Sequence, residues 1–181
     1  EMKLYSDKCA QMLADHGVKK GDMVLLVLKR HYEFWFTVLA LHKLGAVGVP
    51  SHQPADHPRP RLPLRAAGIT ACVCSGECNI SEYVDEACRQ YDGVHSKFIV
   101  RGRREGWLTY SEELEKYDGN FERVQTSRDD PLLLYFTSGT TGMPKMVVHN
   151  HAYRWRTSSP PATGTTSHSD DLHLTSPRRA G

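Results

Sequence analysis

Residues 19–50 read KKGDMVLLVLKRHYEFWFTVLALHKLGAVGVP, and this stretch decides the fold class. Residues 23–28 form a continuous apolar run, which predicts a strand covered on both faces, as in a parallel sheet. Residues 32–44 carry apolar side chains at helical spacing and stop before Gly45, which predicts an amphipathic helix. Residues 46–49 are apolar again and predict a second strand. The order strand, helix, strand indicates an α/β layer architecture with right-handed crossovers.

The same alternation continues on both sides of this unit. Residues 4–17 predict a helix that stops at a glycine. Beyond the unit, the pattern predicts a strand at 71–74, a helix at 80–91, a strand at 97–100, a charged helix or turn at 107–117 and a strand at 132–136. We expect the acids of the charged segment to form a solvated face. The sequence therefore predicts an α/β fold of alternating helices and mostly parallel strands.

Length and composition place this chain among ordinary soluble proteins. With 181 residues, of which 39% are hydrophobic, it suffices for one domain or for a piece of a larger one. Its 23 Lys and Arg nearly balance its 21 Asp and Glu, so charge gives no reason to expect nucleic acid or a membrane surface as a partner. The apolar runs are far shorter than the roughly 20 residues that cross a bilayer, so we expect no membrane span.

The cysteines and histidines do not predict a metal site. The cysteines are odd in number, which favours reduced thiols over a disulfide framework; they are Cys9, Cys72, Cys74, Cys78 and Cys88. The spacing of the middle three could suggest zinc, but no second pair follows, and we expect buried strand thiols instead. His149 and His151 would share one face of a strand, yet no neighbouring Cys or carboxylate completes a ligand set.

Two further groups of residues have plain structural interpretations. Trp35 is predicted to take part in helix packing with the aromatic residues on either side of it. Arg101, Arg103 and Arg104 could bind a phosphate, but a solvated loop is favoured for them.

Residues 137–145, TSGTTGMPK, concentrate hydroxyls, glycines and one lysine between two apolar segments. Gly139 and Gly142 allow positive φ, which can bring successive backbone N–H groups close to an anion. Hydroxyls that can donate to phosphate oxygens belong to Thr137, Ser138, Thr140 and Thr141. Lys145 supplies a positive charge. This combination suits a loop that binds polyphosphate.

Composition alone leaves two interpretations of this loop open. It is not a Walker A loop, because Pro144 stands where that pattern needs a glycine before its lysine. The stretch Gly-Thr-Thr-Gly would also make a polar hairpin turn. Composition alone supports a phosphate loop and a hairpin turn about equally.

Residues 135–146, YFTSGTTGMPKM, resemble the signature phosphate loop of the adenylate-forming (AMP-binding) superfamily. The stretches 19–50, 97–107 and 128–153 are similar to acetyl-CoA synthetase-like and medium-chain acyl-CoA synthetases. The resemblance covers most of residues 4–153. It implies the beginning of the large N-terminal domain of such an enzyme rather than the whole of it.

This resemblance implies an AMP-forming acyl-CoA synthetase. Such enzymes use ATP and Mg²⁺ to activate a carboxylic (fatty) acid to an acyl-adenylate plus pyrophosphate, and they then transfer the acyl group to coenzyme A. The implied pyrophosphate contacts are Thr137, Ser138, Gly139, Thr140, Thr141 and Gly142, with Lys145 as a nearby cation. The catalytic lysine, the adenine contacts and the acyl pocket belong to later family motifs, so we expect no catalytic residue in this chain.

We therefore expect this chain alone to be inactive. The alternatives are a residual module that binds ATP or phosphate without catalysis, and an inert structural fragment. The chain begins with Glu1 and shows no secretory leader, so we expect its native start to be missing. The expected location is the cytoplasm or, in a eukaryote, the mitochondrial matrix.

Two segments depart from the family pattern, and a shifted reading frame would explain both. Residues 51–64 are rich in Pro, His and Arg and predict an aberrant loop within the partial AMP-binding N-terminal domain at 1–153. Residues 154–181 form a low-complexity tail that cannot build a core. Shifted frames regain family-like sequence in both segments, which favours a frameshift over genuine divergence or altered splicing. If the chain exists as written, we expect poor folding, with residues 132–136 and 146–148 partly exposed.

Overall fold

The alternation of apolar runs and helical segments builds one sheet with helices on both faces. The computed structural model describes residues 1–28, 30–51, 64–77, 79–137 and 145–152. Within these residues the strands are β1 (Met23–Val27), β2 (Val47–Pro50), β3 (Ile69–Ser75), β4 (Ser96–Val100), β5 (Leu108–Thr109), β6 (Pro131–Thr137) and β7 (Lys145–Asn150). The helices are α1 (Met2–Asp15), α2 (Glu33–Leu44), α3 (Leu64–Ala67), α4 (Ile80–Cys88) and α5 (Tyr110–Leu114).

The described strands lie in the order β5-β4-β3-β1-β2-β6-β7. All neighbouring pairs among them are parallel except β6 and β7, which are antiparallel. The chain passes from β1 to β2 on one side and then returns to β3 on the other side of β1, so the sheet is doubly wound. The predicted α/β fold with mostly parallel strands is confirmed.

Two hydrophobic cores lie on opposite faces of the sheet. Helices α1, α2 and α5 cover one face, into which Val24 and Leu26 of β1 point. Helices α3 and α4 cover the other face, into which Leu25 and Val27 point. Because the side chains of a strand alternate between faces, a strand covered on both sides must be apolar at every position. This requirement explains the continuous apolar run that predicts β1.

Trp35 does not lie on the side of α2 that meets the sheet. Its buried residues include Thr37, Ala40 and Leu41, whereas Trp35 is 61% exposed. Trp35 contacts Phe34 edge-on with ring centroids 5.4 Å apart, but its predicted role in packing the helix is largely wrong. Small side chains let the helix approach the sheet closely, so the large indole ring lies on the outer side.

The charged segment at 107–117 also differs from its predicted solvated state. It begins with the two-residue strand β5 and continues as the short helix α5. Glu113 is only 8% exposed. Its carboxylate accepts a hydrogen bond from Lys116 at 2.7 Å and lies 3.6 Å from His16 Nε2. Glu112 and Glu115 face solvent as predicted. The error arises because this side of α5 packs against α1.

The buried thiols predicted for β3 are confirmed. Cys72 and Cys74 are fully buried, as is Cys9 on α1. Burial raises the pKa of Cys9 to about 11, so this thiol stays protonated and unreactive near neutral pH. Among the described residues, no three His, Cys, Asp or Glu side chains are placed to hold a metal ion. Cys78 lies outside the described residues.

Exposure at the β6–β7 end of the sheet agrees in part with the expectation for the chain as written. Met146 and Val148 of β7 are 53% and 55% exposed. Leu132 and Leu134 of β6 are instead buried, and Leu134 packs into the core on the α3 and α4 face. Tyr135 of β6 is 38% exposed, so residues 132–136 are partly exposed as expected, although less so than β7.

Two predicted segments fall on parts of the chain that the structure does not describe. They are residues 52–63, within the predicted aberrant loop, and residues 153–181, which include the predicted tail. The frameshift interpretation of both segments stays a prediction. None of the described helices is both long and apolar enough to cross a membrane.

Candidate phosphate-binding site

The predicted phosphate loop connects the two antiparallel strands β6 and β7. The ladder between them closes at the pair Thr137 and Lys145, so residues 138–144 form the connection. Thr137 Oγ1 donates a weak hydrogen bond to the backbone carbonyl of Lys145 at 3.4 Å. A seven-residue connection exceeds the two to five residues of most hairpin loops. The hairpin and the phosphate loop are therefore compatible interpretations of one segment.

The two ends of this loop are the part of the predicted site that the structure describes. Thr137 and Lys145 face each other across the ladder. The remaining predicted contacts lie outside the described residues, and their roles stay predictions: Ser138, Gly139, Thr140, Thr141 and Gly142.

The loop extends from the carboxyl edge of the parallel sheet. Gly48 of β2 is in register with Leu133 of β6. From that pair β2 continues two residues to Pro50, whereas β6 continues four residues to Thr137. At about 3.3 Å per residue, Thr137 projects roughly 7 Å beyond the end of β2. In doubly wound sheets, ligands bind outside the carboxyl ends of the strands, so the loop starts where this fold binds its ligands.

Lys145 can act as a positive charge at the base of this loop. Its side chain is exposed, as is that of Thr137. No carboxylate in the described parts of the chain forms an ion pair with Lys145. An ammonium group without a neutralising partner attracts an anion more strongly than one that already forms an ion pair. Lys145 and the Thr137 hydroxyl thus suit contact with phosphate.

The arginine-rich loop after β4 is the second candidate for a phosphate site. Its arginines form ion pairs with carboxylates of the protein. Arg101 Nε lies 3.4 Å from Glu33 Oε1. Arg103 pairs with Glu112, and Arg104 Nε lies 2.7 Å from Asp85 Oδ2. Arg101 and Arg103 are nevertheless exposed, so the solvated loop that the sequence favoured is confirmed, with ion pairs to carboxylates added to it. The charges of the three arginines hold α2, α4 and α5 against the carboxyl end of β4.

The two candidate histidines do not share a strand face as predicted. His149 lies in β7 and contacts Tyr135 edge-on, with ring centroids 5.7 Å apart. His151 lies past the end of β7, where its N–H donates to the carbonyl of Asp130 at 3.1 Å. Its ring is 6.2 Å from that of His42 on α2. The prediction fails because β7 ends at residue 150, before the alternation reaches His151.

A cluster of buried polar side chains that sequence reasoning missed lies where the strand order reverses, between β1 and β3. His31 Nε2 lies 3.0 Å from Ser75 Oγ, and both side chains are buried. Glu33 is also buried, and its Oε2 atom has no hydrogen-bond partner among the described residues. The sequence signal that could have identified these polar residues is their position directly after apolar strands.

Comparison with known proteins decides which family this arrangement belongs to. A model of the family described as AMP-binding enzyme matches residues 1–177. The chain belongs to the AMP-binding enzyme family. This agrees with the resemblance of the loop at 135–146 to the adenylate-forming signature.

Relatives in this family are named as ligases that form coenzyme A thioesters. The 4-hydroxybutyrate--CoA ligase 1 of Metallosphaera sedula is 34% identical over 149 residues, which cover 82% of this chain and 25% of that protein. The mitochondrial acyl-coenzyme A synthetase ACSM5 of Rattus norvegicus is 32% identical over 152 residues, which cover 83% of this chain and 26% of the relative. The chain thus spans about a quarter of the length of the curated relatives it matches.

Two solved structures share the fold. The anthranilate CoA ligase AuaEII, in complex with anthranoyl-AMP, superposes with a TM-score of 0.74 at 22% identity. The long-chain-fatty-acid-CoA ligase FadD1 of Archaeoglobus fulgidus superposes with a TM-score of 0.70 at 25% identity. Each match covers 83% of this chain and 29% of the solved chain. The α/β sheet described above is therefore the fold found in part of adenylate-forming CoA ligases.

Proposed function

We propose that residues 137–145 bind the β- and γ-phosphates of ATP within an AMP-forming acyl-CoA synthetase. One observation carries this proposal: Lys145 is exposed, forms no ion pair with the carboxylates of the described residues, and faces Thr137 where the loop begins, beyond the carboxyl edge of a doubly wound sheet. The family and the names of the relatives support the same assignment.

The proposed reaction explains why such a loop is needed. A carboxylate oxygen of the acid attacks the α-phosphorus of ATP, the bond from that phosphorus to the bridging oxygen breaks, and pyrophosphate leaves with the electron pair. Negative charge therefore grows on the β-phosphate as the reaction proceeds. Backbone N–H groups, hydroxyls and the Lys145 ammonium held around it stabilise that charge. The thiol of coenzyme A then attacks the acyl carbon of the adenylate, and AMP leaves.

Magnesium fits this site as a companion of ATP. No three potential metal-binding side chains converge in the described parts of the chain. Mg²⁺ usually keeps several waters and binds through substrate phosphates, so the proposal assigns it to ATP rather than to protein side chains. When bound there it would neutralise phosphate charge, and Thr137 and Lys145 would hold the phosphates that it accompanies.

We expect this chain alone to bind ATP without catalysing the reaction. By resemblance, the catalytic lysine, the adenine contacts and the acyl pocket belong to later motifs, and the chain spans about a quarter of its relatives. The chain alone is then a residual ATP-binding module, and an inert structural fragment is the competing proposal. ATP affinity distinguishes them, because an inert fragment has none. The proposed location is the cytoplasm or the mitochondrial matrix.

The direct test is titration calorimetry of the chain with ATP and Mg²⁺. Lys145→Ala should weaken binding about 10- to 100-fold, because a hydrogen bond to a charged group contributes roughly 1.5–3 kcal/mol. Lys19→Ala is the matched control, since Lys19 is an exposed lysine before the amino end of β1, at the opposite edge of the sheet. It should leave the affinity unchanged.

Two outcomes would contradict the proposal. Equal loss of affinity in both lysine variants would indicate nonspecific charge attraction, and unchanged affinity in Lys145→Ala would place ATP elsewhere. Pyrophosphate release measured in the same samples with a carboxylic acid present should stay at background. Turnover by the wild-type chain would overturn the expectation that it is inactive alone.

A further inference from the structure

The strand that leads into the phosphate loop is attached to the parallel sheet by a short ladder. β6 and β2, which both lie wholly within the described residues, share one registered pair, Gly48 and Leu133. By comparison, β1 and β2 share four such pairs and β3 and β4 share five. The burial of Leu132 and Leu134 opposes a slip by a whole residue, because it would expose both side chains. A single pair does not oppose a tilt of the β6–β7 hairpin about that pair.

Asp130 gives β6 a second point of attachment. Its Oδ2 atom lies 2.8 Å from Lys20 Nζ, and the same carboxylate accepts a hydrogen bond from the backbone N–H of Ser127 at 2.8 Å. Lys20 also donates to the backbone carbonyl of Gln125 at 3.0 Å. These contacts hold the chain where it enters β6, on the other side of Leu133 from the loop.

Lys20 is itself held close to the beginnings of two central strands. It lies in the turn before β1, where the N–H of Gly21 donates to the carbonyl of Gly45 at 2.9 Å. In the same turn the carbonyl of Asp22 accepts from the N–H of Val47, the first residue of β2, at 2.8 Å. The ion pair of Lys20 and Asp130 therefore connects the beginning of β6 to the beginnings of β1 and β2.

We propose that Asp130 is a positioning residue that fixes the tilt of the β6–β7 hairpin and so holds the phosphate loop where it contacts ATP. The inference rests on the proposed function of residues 137–145. Thr137 lies four residues beyond Leu133, and at about 3.3 Å per residue a tilt of about 10° about Leu133 would displace it by roughly 2 Å. Phosphate contacts need donor–acceptor distances of about 2.7–3.2 Å, so such a displacement would break them.

The neighbouring carboxylate does not share these contacts. Asp129 is exposed, and its ion pair with Arg128 is long, at 3.9 Å. The Lys20 ammonium, together with the N–H of Ser127, holds the pKa of the Asp130 carboxyl below its usual value, so Asp130 is charged near neutral pH. An ion pair at the surface contributes little to global stability, so its loss should leave the fold intact.

Two measurements on the full chain test the positioning role: calorimetry with ATP and Mg²⁺, and amide hydrogen exchange. Asp130→Ala should weaken ATP binding about three- to tenfold, because it removes both contacts of the carboxylate. In the same variant the amides of residues 131–134 should exchange at least about threefold faster, while those of β1 keep their rates. Lys20→Met should weaken ATP binding in the same direction, and Lys20→Arg should retain most of the affinity.

Two control variants separate positioning from stability. Asp129→Ala is the matched control and should leave both the affinity and the exchange of β6 unchanged. Gly106→Ala is the stability control, since Gly106 has a φ of 76° and nothing within 4 Å of an added Cβ. It strains a turn outside β6 and should lower the free energy of unfolding without changing the ATP affinity of the folded chain.

The outcomes distinguish this inference from the proposed function. A wild-type chain without ATP affinity contradicts the proposed function, and the exchange of residues 131–134 then still decides whether Asp130 holds β6. Unchanged exchange in Asp130→Ala overturns the positioning role, and so does unchanged ATP affinity in that variant. Equal loss of affinity in Lys20→Arg and Lys20→Met also overturns it, because the charge would then not hold the strand. If Asp130→Ala fails to fold, the two Lys20 variants decide.

Discussion

Individual carboxylates connect the helices of this protein to each other and to its sheet. Asp7 on α1 accepts from Lys43 on α2 at 2.6 Å and from Lys3 at 2.7 Å. Asp85 on α4 plays the same part on the other face of the sheet, where it contacts Lys97 and Arg104. Each is a partly or fully buried charge with two cationic partners. Such groups stabilise the fold only while all partners are present.

Asp85 allows a test of this role. Partial burial by itself raises the pKa of Asp85, but hydrogen bonds from Lys97, Arg104 and the Trp107 indole outweigh it, so the pKa lies below its usual value. Asp85→Asn should reduce the free energy of unfolding by about 1–3 kcal/mol at neutral pH, because it removes the charge that all three donors approach. Urea unfolding measures this difference. Asp92→Asn, in an exposed turn, is the control and should have little effect.

The pH dependence of the same pair gives an independent check. A carboxyl group whose pKa is lowered by folding stabilises the protein above its unfolded pKa of about 3.9, and this contribution is lost as the pH falls through the folded pKa. The stability difference between wild type and Asp85→Asn should therefore be full at pH 7 and shrink below about pH 4. A difference that stays constant over this range would show that the charge is not responsible.

Residue types alone do not predict these pairings. Nothing in the sequence distinguishes Asp85, Lys97 and Arg104 from other charged residues. They meet only because β4 lies beside β3 and below α4. The burial of Glu33 and Glu113 is unpredictable for the same reason.

At the scale of secondary-structure elements, the conformational preferences of single residues determine where a helix ends. Helix α2 ends at Gly45, which has a φ of 71° and donates its N–H to the carbonyl of Leu41. A glycine adopts this left-handed conformation without a steric penalty, so Gly45 predicts the end of the helix from sequence. A Cβ atom here would also lie 2.9 Å from the methyl group of Thr126.

Gly45→Ala should therefore reduce the free energy of unfolding by more than the left-handed conformation alone would. The left-handed backbone costs an alanine about 1 kcal/mol, and the contact with Thr126 and Lys20 adds to this. Gly106→Ala is the matched control, because Gly106 has a φ of 76° but nothing within 4 Å of an added Cβ. Urea unfolding should give a larger loss for Gly45→Ala. Equal losses would mean that Thr126 moves away freely.

The exposure of Trp35 on α2 could not be predicted, although the helix could. Large apolar residues occur on several sides of this helix, so the helical period alone does not exclude Trp35 from the face that meets the sheet. Thr37 and Ala40 face the sheet because they are small, whereas Trp35 remains outside. Very short elements such as α3 and β5 carry too few residues to show a period.

At the scale of the whole molecule, the sequence predicts the buried strands but not the order of the strands in the sheet. Continuous apolar runs predict buried parallel strands, and β1, β3 and β4 confirm them. The position of β6 beside β2 depends on a contact between residues 48 and 133, which no local pattern specifies. The placement of the proposed phosphate loop at the carboxyl edge follows from that contact, so its location could not be predicted from the sequence.

The central claim is that the loop between β6 and β7 holds the outer phosphates of a nucleotide. The most direct measurement is a pyrophosphate titration of the ¹⁵N-labelled chain, followed by amide chemical shifts. The account predicts saturable shifts of the Gly139 and Gly142 amides and no such shifts in Lys145→Ala. Unmoved glycine amides, with the response appearing instead at Arg101 to Arg104 or nowhere, would contradict it.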